Sequence, residues 1–367
     1  MTAKQNKIAW LAGAAALIIL PLLLQAMGNF WVRIADTALL YVLLALGLNI
    51  VVGYAGLLDL GFVAFFAIGA YVFGLLGSPH LTDNFQWFAQ HFGDQGLHTP
   101  VWIVIPIGAA VAGVFGILLG APTLKLRGDY LAIVTLGFGE IIRVFLNNLD
   151  QPVNVTNGPK GISQIESVHL FGLDLARRLD VTENYSINSV TLYYYLFLAL
   201  AVLSVIICHR LELSRIGRAW MAIREDEIAA KAMGINTRNM KLLAFGMGAT
   251  FGGVSGVMFA AFQGFISPES FSLMESVMIV AMVVLGGIGH LPGVILGAVL
   301  LSSLPEVLRW VSGVFDLQSI TGGRLDASIL RQLLIALAMI VVMLLRPRGL
   351  WPTPEHGKSL QRGGNGK

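Results

Sequence analysis

The chain has 367 residues, 56% of them hydrophobic and only 12% charged, with a mean hydropathy of +0.75. A soluble domain carries about 25% charged residues, so a water-exposed surface over this length is excluded, and the 42 glycines fit helices in lipid. The net charge of +3 reflects basic loops on one side of a membrane rather than a nucleic-acid partner.

At about 20 apolar residues per crossing, some ten spans are predicted, near 8–26, 34–53, 57–77, 101–121, 130–147, 192–208, 241–263, 274–290, 292–308 and 329–345. The expected fold is an all-α polytopic membrane protein, one domain over 1–367, with some helices broken by glycine or proline. The first span has a basic start at Lys4 and Lys7 but no small-residue cleavage site, and reads as a retained helix rather than a signal peptide.

An ionisable group inside a span is costly unless it faces a partner or water. Asp59 follows a glycine turn at the start of the third span, either as a cap or as a polar group on a pathway. In the fifth span Glu140 and Arg143 are three apart and can pair on one helix face. The run Gly137-Phe138-Gly139 before them is expected to loosen that helix at mid-membrane depth, where transporters expose backbone groups to a polar substrate. Asp59, Gly137, Phe138, Gly139, Glu140 and Arg143 are therefore the candidate pathway residues, against the alternative of a buried structural pair. The lone Cys208 has no partner for an intrachain disulfide and reads as a small buried hydrophobe.

With the N-terminus in the cytoplasm, sixteen of the 24 Lys and Arg fall inside, all but Arg33, Arg143, Lys160, Arg177, Arg178, Arg309, Arg324 and Arg331. The loop 78–100 has no Lys or Arg, as an external loop should. This orientation makes 148–191 an external loop, 209–240 a cytoplasmic loop and 347–367 a cytoplasmic tail.

The cytoplasmic loop contains AIREDEIAAKAMGINTRNMKLLAF over 222–245. Asp226 suits a helix N-cap and Gly234 a C-terminal glycine. Glu227 and Lys231 stand four apart with the acid first. Ile228, Ala229, Ala232 and Met233 form a compact apolar face on a helix too short to be stable alone in water. That face lies on lipid headgroups or the protein's own underside, or it docks into a groove on a cytoplasmic partner. In the next span Ala244, Gly248, Gly252, Gly256 and Ala260 recur every fourth residue, a stripe for close helix packing or a sliding surface. His290, between Gly289 and Pro292, marks a tight turn between two spans.

The segment GRAWMAIREDEIAAKAMGI (217–235) resembles the cytoplasmic signature of permeases in binding-protein-dependent ATP-driven importers, in the version found in branched-chain amino acid importers. GLLDLGFVAFFAIGAY (56–71), LRGDYLAIVTLGFGEIIR (126–143), NGPKGISQI (157–165), QGFISPESF (263–271) and VVLGGIGHLPGVILGA (283–298) follow in the order of the LivM-type subunit, from about residue 40 onward. One departure is Ile228, which separates Glu227 from Ala229, where the wider superfamily sets the acid directly before two alanines.

The resemblance implies a division of labour in the bacterial inner membrane. A second, paralogous permease completes the pore, two cytoplasmic ATPase subunits dock on coupling helices, and a periplasmic binding protein delivers leucine, isoleucine or valine. Glu227, Ala229, Ala230 and Gly234 would seat the coupling helix in the ATPase, with Arg218, Arg224 and Lys231 adding rim charge. Thr156–Gly161 and Ser267–Ser270 would lie at the periplasmic mouth. A related urea or amide importer, and a stand-alone ion-coupled transporter, are the alternatives. The sequence holds no phosphate-binding loop, metal-ligand cluster or catalytic motif, so neither enzymatic activity, metal nor cofactor is expected.

Overall fold

The computed structural model describes residues 3–314, apart from 93–95, 98, 124–125, 127, 171–172, 177–178 and 183–184, with scattered positions between 333 and 351. The predicted last span and the tail lie largely outside the described residues.

The helices in chain order are α1 (Ala3–Met27), α2 (Asn29–Leu48), α3 (Val63–Leu76), α4 (His80–Asn84), α5 (Gln86–Phe92), α6 (Val101–Thr123) and α7 (Asp129–Asn148). After a long loop come α8 (Ser189–Leu213), α9 (Arg215–Glu225), α10 (Glu227–Ala232), α11 (Thr237–Gln263), α12 (Leu273–Gly286) and α13 (Leu291–Val314). Among the described residues five helices are long and apolar enough to cross a membrane: α2 with its extension to Tyr54, α6, α8, α11 and α13 to Trp310. Ala15–Met27, α3 and α12 are shorter apolar helices.

The all-α expectation needs one amendment. The 148–191 loop folds back as two short antiparallel hairpins, β1 (His169–Leu170) with β2 (Leu173–Asp174) and β3 (Leu179–Thr182) with β4 (Tyr185–Ile187).

Helix α11 is the hub, because its small residues let three neighbours approach it. Gly248 faces Gly47 of α2 and Val51 just beyond its end, while Gly252 and Gly256 face Phe65, Phe66 and Gly69 of α3. A methyl group added at Gly256 would overlap the backbone carbonyl of Phe66, which cannot move aside. A second small-residue row runs along α6. Gly108, Gly116 and Gly120 meet Val257, Ala249 and Phe245 of α11. Without the hydrophobic effect between helices in lipid, such close backbone contact is what holds them together.

The break in the bundle falls in α2 rather than in α7. Helix α7 runs uninterrupted through Gly137, Phe138 and Gly139. Gly139 is used for close approach to Gly61 instead, and nothing lies within 4 Å of a methyl group built at Gly137. At the end of α2 the backbone widens into a π-helical turn over Asn49–Tyr54, with Ala55 N–H bonding the Ile50 carbonyl five residues back. The non-helical stretch that follows still has to satisfy its backbone groups away from water. Leu60 N–H donates to Thr135 Oγ1 of α7 at 3.0 Å, and Ser276 Oγ of α12 donates to the Leu60 carbonyl at 2.5 Å.

Candidate functional site

The segment from Ser214 to Lys241 is fixed at every helix end. Ser214 Oγ caps α9 by accepting the Gly217 N–H at 3.1 Å. The fully buried Trp220 donates its indole N–H to the Met240 carbonyl at 2.7 Å, which pins α9 beneath the first turns of α11. Asp226 ends α9 in an extended conformation and starts α10, its Oδ1 accepting the N–H groups of Ile228 and Ala229 at 2.8 and 3.0 Å. At the other end Gly234 takes φ +85°, open to glycine at low cost. Its N–H bonds the Lys231 carbonyl while Ile235 N–H bonds the Ala230 carbonyl, the two bonds of a Schellman stop. Asn236 Oδ1 then caps α11 by accepting the Asn239 N–H at 3.2 Å.

The charged residues of this segment divide into two groups. Arg218 and Lys231 are exposed. Glu227 does not use Lys231, four residues along, as the spacing suggests; its Oε2 lies 2.8 Å from the Nζ of Lys241, which is buried in the first turns of α11. Arg224, expected as rim charge, is exposed as well, but its guanidinium reaches back to the subunit. Its Nη1 donates to the Gly53 carbonyl in the π-helical turn at 2.5 Å and lies 2.8 Å from where a Gly289 side chain would begin. The amide of Gly289 donates to Asn49 Oδ1 at 2.9 Å, so the turn after α12 is tied to the same knot. His290 Nδ1 meets the Trp351 carbonyl at 2.9 Å.

The apolar residues of α10 also divide. Ala230 is buried against this chain, which removes it from the surface expected to seat a partner. Ile228, 70% exposed, and Met233, 84% exposed, project outward with the exposed Ala229 and Ala232. Behind this face a cavity of about 400 Å³ opens between α10 and the broken segment, lined by Gly56, Leu58, Asp129, Arg224, Glu227 and Lys241.

The candidate pathway residues form two separate arrangements. Asp59 is buried in the non-helical stretch, where its Oδ1 accepts the Gly61 N–H at 2.8 Å. Glu140 and Arg143 pair through several hydrogen bonds, the shortest 2.5 Å, and Arg143 also reaches Glu269 at 3.3 Å. The Glu140 side chain remains 44% exposed. Phe138 is half-buried on the same helix.

The two loops expected at the mouth do meet. Asn157 adopts φ 62° and donates its side-chain amide to the Gly161 carbonyl at 2.8 Å; the next residue, Ile162, exchanges backbone hydrogen bonds with Ile266. Sequence reasoning missed Lys241, Asn49, Gly53 and the α6 row. The row was accessible, since Gly108, Ala112, Gly116 and Gly120 recur every fourth residue. A lysine four residues into an apolar helix also asks for a counter-ion.

The family model described as branched-chain amino acid transport system, permease component, matches residues 30–344. The chain is 41% identical over 343 residues to the high-affinity branched-chain amino acid transport system permease protein LivM of Escherichia coli K12, covering 90% of this chain and 72% of that protein. The LivM protein of Salmonella typhimurium matches to the same extent. The permease protein LivH of Escherichia coli K12 is 25% identical over 323 residues, covering 86% of this chain and 92% of that protein. No solved structure matches the chain.

Proposed function

The chain belongs to the branched-chain amino acid transport permease family, and from that premise we propose that it is one permease subunit of an ATP-driven importer for leucine, isoleucine and valine. It crosses the bacterial inner membrane ten times as a single domain over 1–367, with both termini in the cytoplasm, and α10 is its coupling helix. A second permease of the LivH kind completes the pore, two ATPase subunits grip the α10 side, and a periplasmic binding protein delivers the amino acid. ATP hydrolysis belongs to the ATPases.

The observation that carries this reading is the outward apolar face of α10. Ile228 and Met233 stand free on a helix capped at both ends and fastened to the bundle by Glu227–Lys241. A rigid handle with an uncovered greasy face suits docking, and rigid-body motion of a docked partner would pass directly to α9, α11 and the knot at Gly53. Arg218 and Lys231 flank the face as rim charge, with Ala229 as the small contact and Gly234 as the turn that returns the chain to the membrane. Asp59, Glu140 and Arg143, beside the helix segment Gly137-Phe138-Gly139, remain the proposed polar groups of the pathway, and Gly248, Gly252 and Gly256 its packing seam.

Reconstitution separates this function from that of an ion-coupled transporter. Vesicles holding the chain with both ATPases, the second permease and the binding protein should take up leucine only with internal ATP. Uptake by the chain alone, driven by an ion gradient, would overturn the proposal.

A further inference from the structure

Gln263 ends α11, while α10 precedes its start, so the 27-residue helix sets these points about 40 Å apart. At the Gln263 end lies a second cavity, of about 280 Å³, enclosed by α2, α3, α8, α11 and α12. Its size is close to the lower end of small-molecule sites, about 300 Å³, enough for one compact ligand.

The walls are aromatic: Phe66, Phe197 and Phe259 line the cavity, and the Phe66 and Phe259 rings stand 5.1 Å apart. Two carboxylates share this apolar space. Glu275 Oε2 accepts the Tyr41 hydroxyl at 2.7 Å. Asp36, fully buried, has no hydrogen-bond partner at either oxygen. An ionised carboxylate buried unpartnered is among the most costly arrangements in a protein, so Asp36 either holds a proton or meets a donor, and a donor-rich cation entering the cavity would hold it ionised. Hydrated inorganic ions are poorly matched to phenylalanine walls. An organic ammonium on an apolar stem satisfies both, with N–H groups for the carboxylates and hydrocarbon for the rings. One turn beyond Thr37, the exposed Arg33 bonds Gln263 Oε1 at 2.9 Å and lies 5.4 Å from the centre of the Phe262 ring. A cation therefore stands at the rim and anions within, the polarity that orients a zwitterion.

We propose that this cavity is a binding site for the transported amino acid, with its α-ammonium on Asp36 and Glu275, its apolar side chain among Phe66, Phe197 and Phe259, and its carboxylate toward Arg33. The assignment rests on the permease function proposed above and adds a substrate station to it.

The test uses the complete reconstituted transporter. If the wild-type assembly imports no leucine, the permease function itself fails. If it does, Asp36→Asn should lower leucine imported per ATP hydrolysed by about tenfold, the size of one charge-assisted contact. An unchanged ratio in the assembled variant overturns the site. A second measurement needs no variant: a hydrophobic carbodiimide added to the wild-type assembly should modify Asp36, read by mass spectrometry of the peptide. Leucine should slow that modification, whereas 4-methylpentanoate, the same skeleton without the ammonium, and sodium chloride should not. Equal protection by sodium, or none by leucine, overturns the proposal.

Discussion

Truncating Ile228 and Met233 to alanine isolates docking from folding. Both side chains project from the subunit, 70% and 84% exposed, so their removal takes nothing from this chain's core. Alanine is also the best helix former, so α10 itself should persist. If a partner groove covers these side chains, each contributes part of the roughly 1.5–3 kcal/mol that burying a large aliphatic side chain supplies. Allowing for the methyl group that alanine keeps, the loss is about 1–2 kcal/mol for each, and with 1.4 kcal/mol per tenfold the dissociation constant rises about tenfold. The double variant should approach about a hundredfold, less any coupling between these neighbours on one face. The assay is titration of the purified ATPase against the permease in lipid nanodiscs, with the permease's own thermal unfolding as control. A double variant that binds within twofold of wild type, with unfolding unchanged, would refute the docking argument.

Four further outcomes follow from the same contacts. Gly234→Ala meets no neighbour, so its cost is the positive φ alone, about 1–2 kcal/mol, seen as faster hydrogen exchange at Ile235; Gly234→Pro removes a Schellman bond as well and should abolish ATP-coupled uptake with the protein still inserted. Lys241→Met removes the ion pair with Glu227, whose side chain is 27% exposed, and should destabilise by about 2 kcal/mol, below the 3–5 kcal/mol of a fully buried pair, measured as a lower unfolding midpoint. Gly256→Ala should cost about 1–3 kcal/mol by forcing α11 from α3, whereas Gly137→Ala, with open space around it, should stabilise α7 by about 0.5–1 kcal/mol; equal unfolding midpoints for the two variants would refute the packing argument. Arg224→Lys keeps the charge but not the planar reach to Gly53, and should reduce uptake while ATPase docking persists; full uptake would show that this contact transmits nothing.

The long helices were legible because a lipid-facing or tightly packed span must be apolar almost throughout, and that constraint is visible residue by residue. The caps of α10 were legible for a related reason: Asp226 and Gly234 act through their own backbone neighbourhood. The π-helical turn was not. Asn49-Ile50-Val51-Val52-Gly53-Tyr54 is as apolar as what precedes it, and what permits the turn lies far off in sequence, at Gly289 and Arg224. Conversely, the glycines at 137 and 139 suggested a break that α7 does not make, because a glycine in a membrane helix serves close packing as readily as flexibility. The partner of Glu227 illustrates the same limit. Spacing favours Lys231, but the fold delivers Lys241 into a buried position where the ion pair is screened far less.

The geometry of α12 connects the two ends of the molecule. Its first turn carries Glu275, bound to Tyr41 of α2 at the wall of the aromatic cavity. Its last residue, Gly286, runs into the turn whose Gly289 is held by Asn49 and pressed against Arg224. Helices α2 and α12 are thus linked at both ends, over 14 residues or about 20 Å. Any movement of α9 that withdraws Arg224 from Gly53 leaves both of these links in place. On the proposed docking, a pull at α10 would therefore act on α2 and α12 as a pair, and the cavity between Asp36 and Glu275 would change shape with it. The widened turn makes this feasible, since a π-helical segment next to a non-helical stretch yields more easily than a regular helix packed on glycines. On that proposal, coupling would need no chain of small adjustments through the bundle: two helices with shared fastenings would carry it from one end to the other.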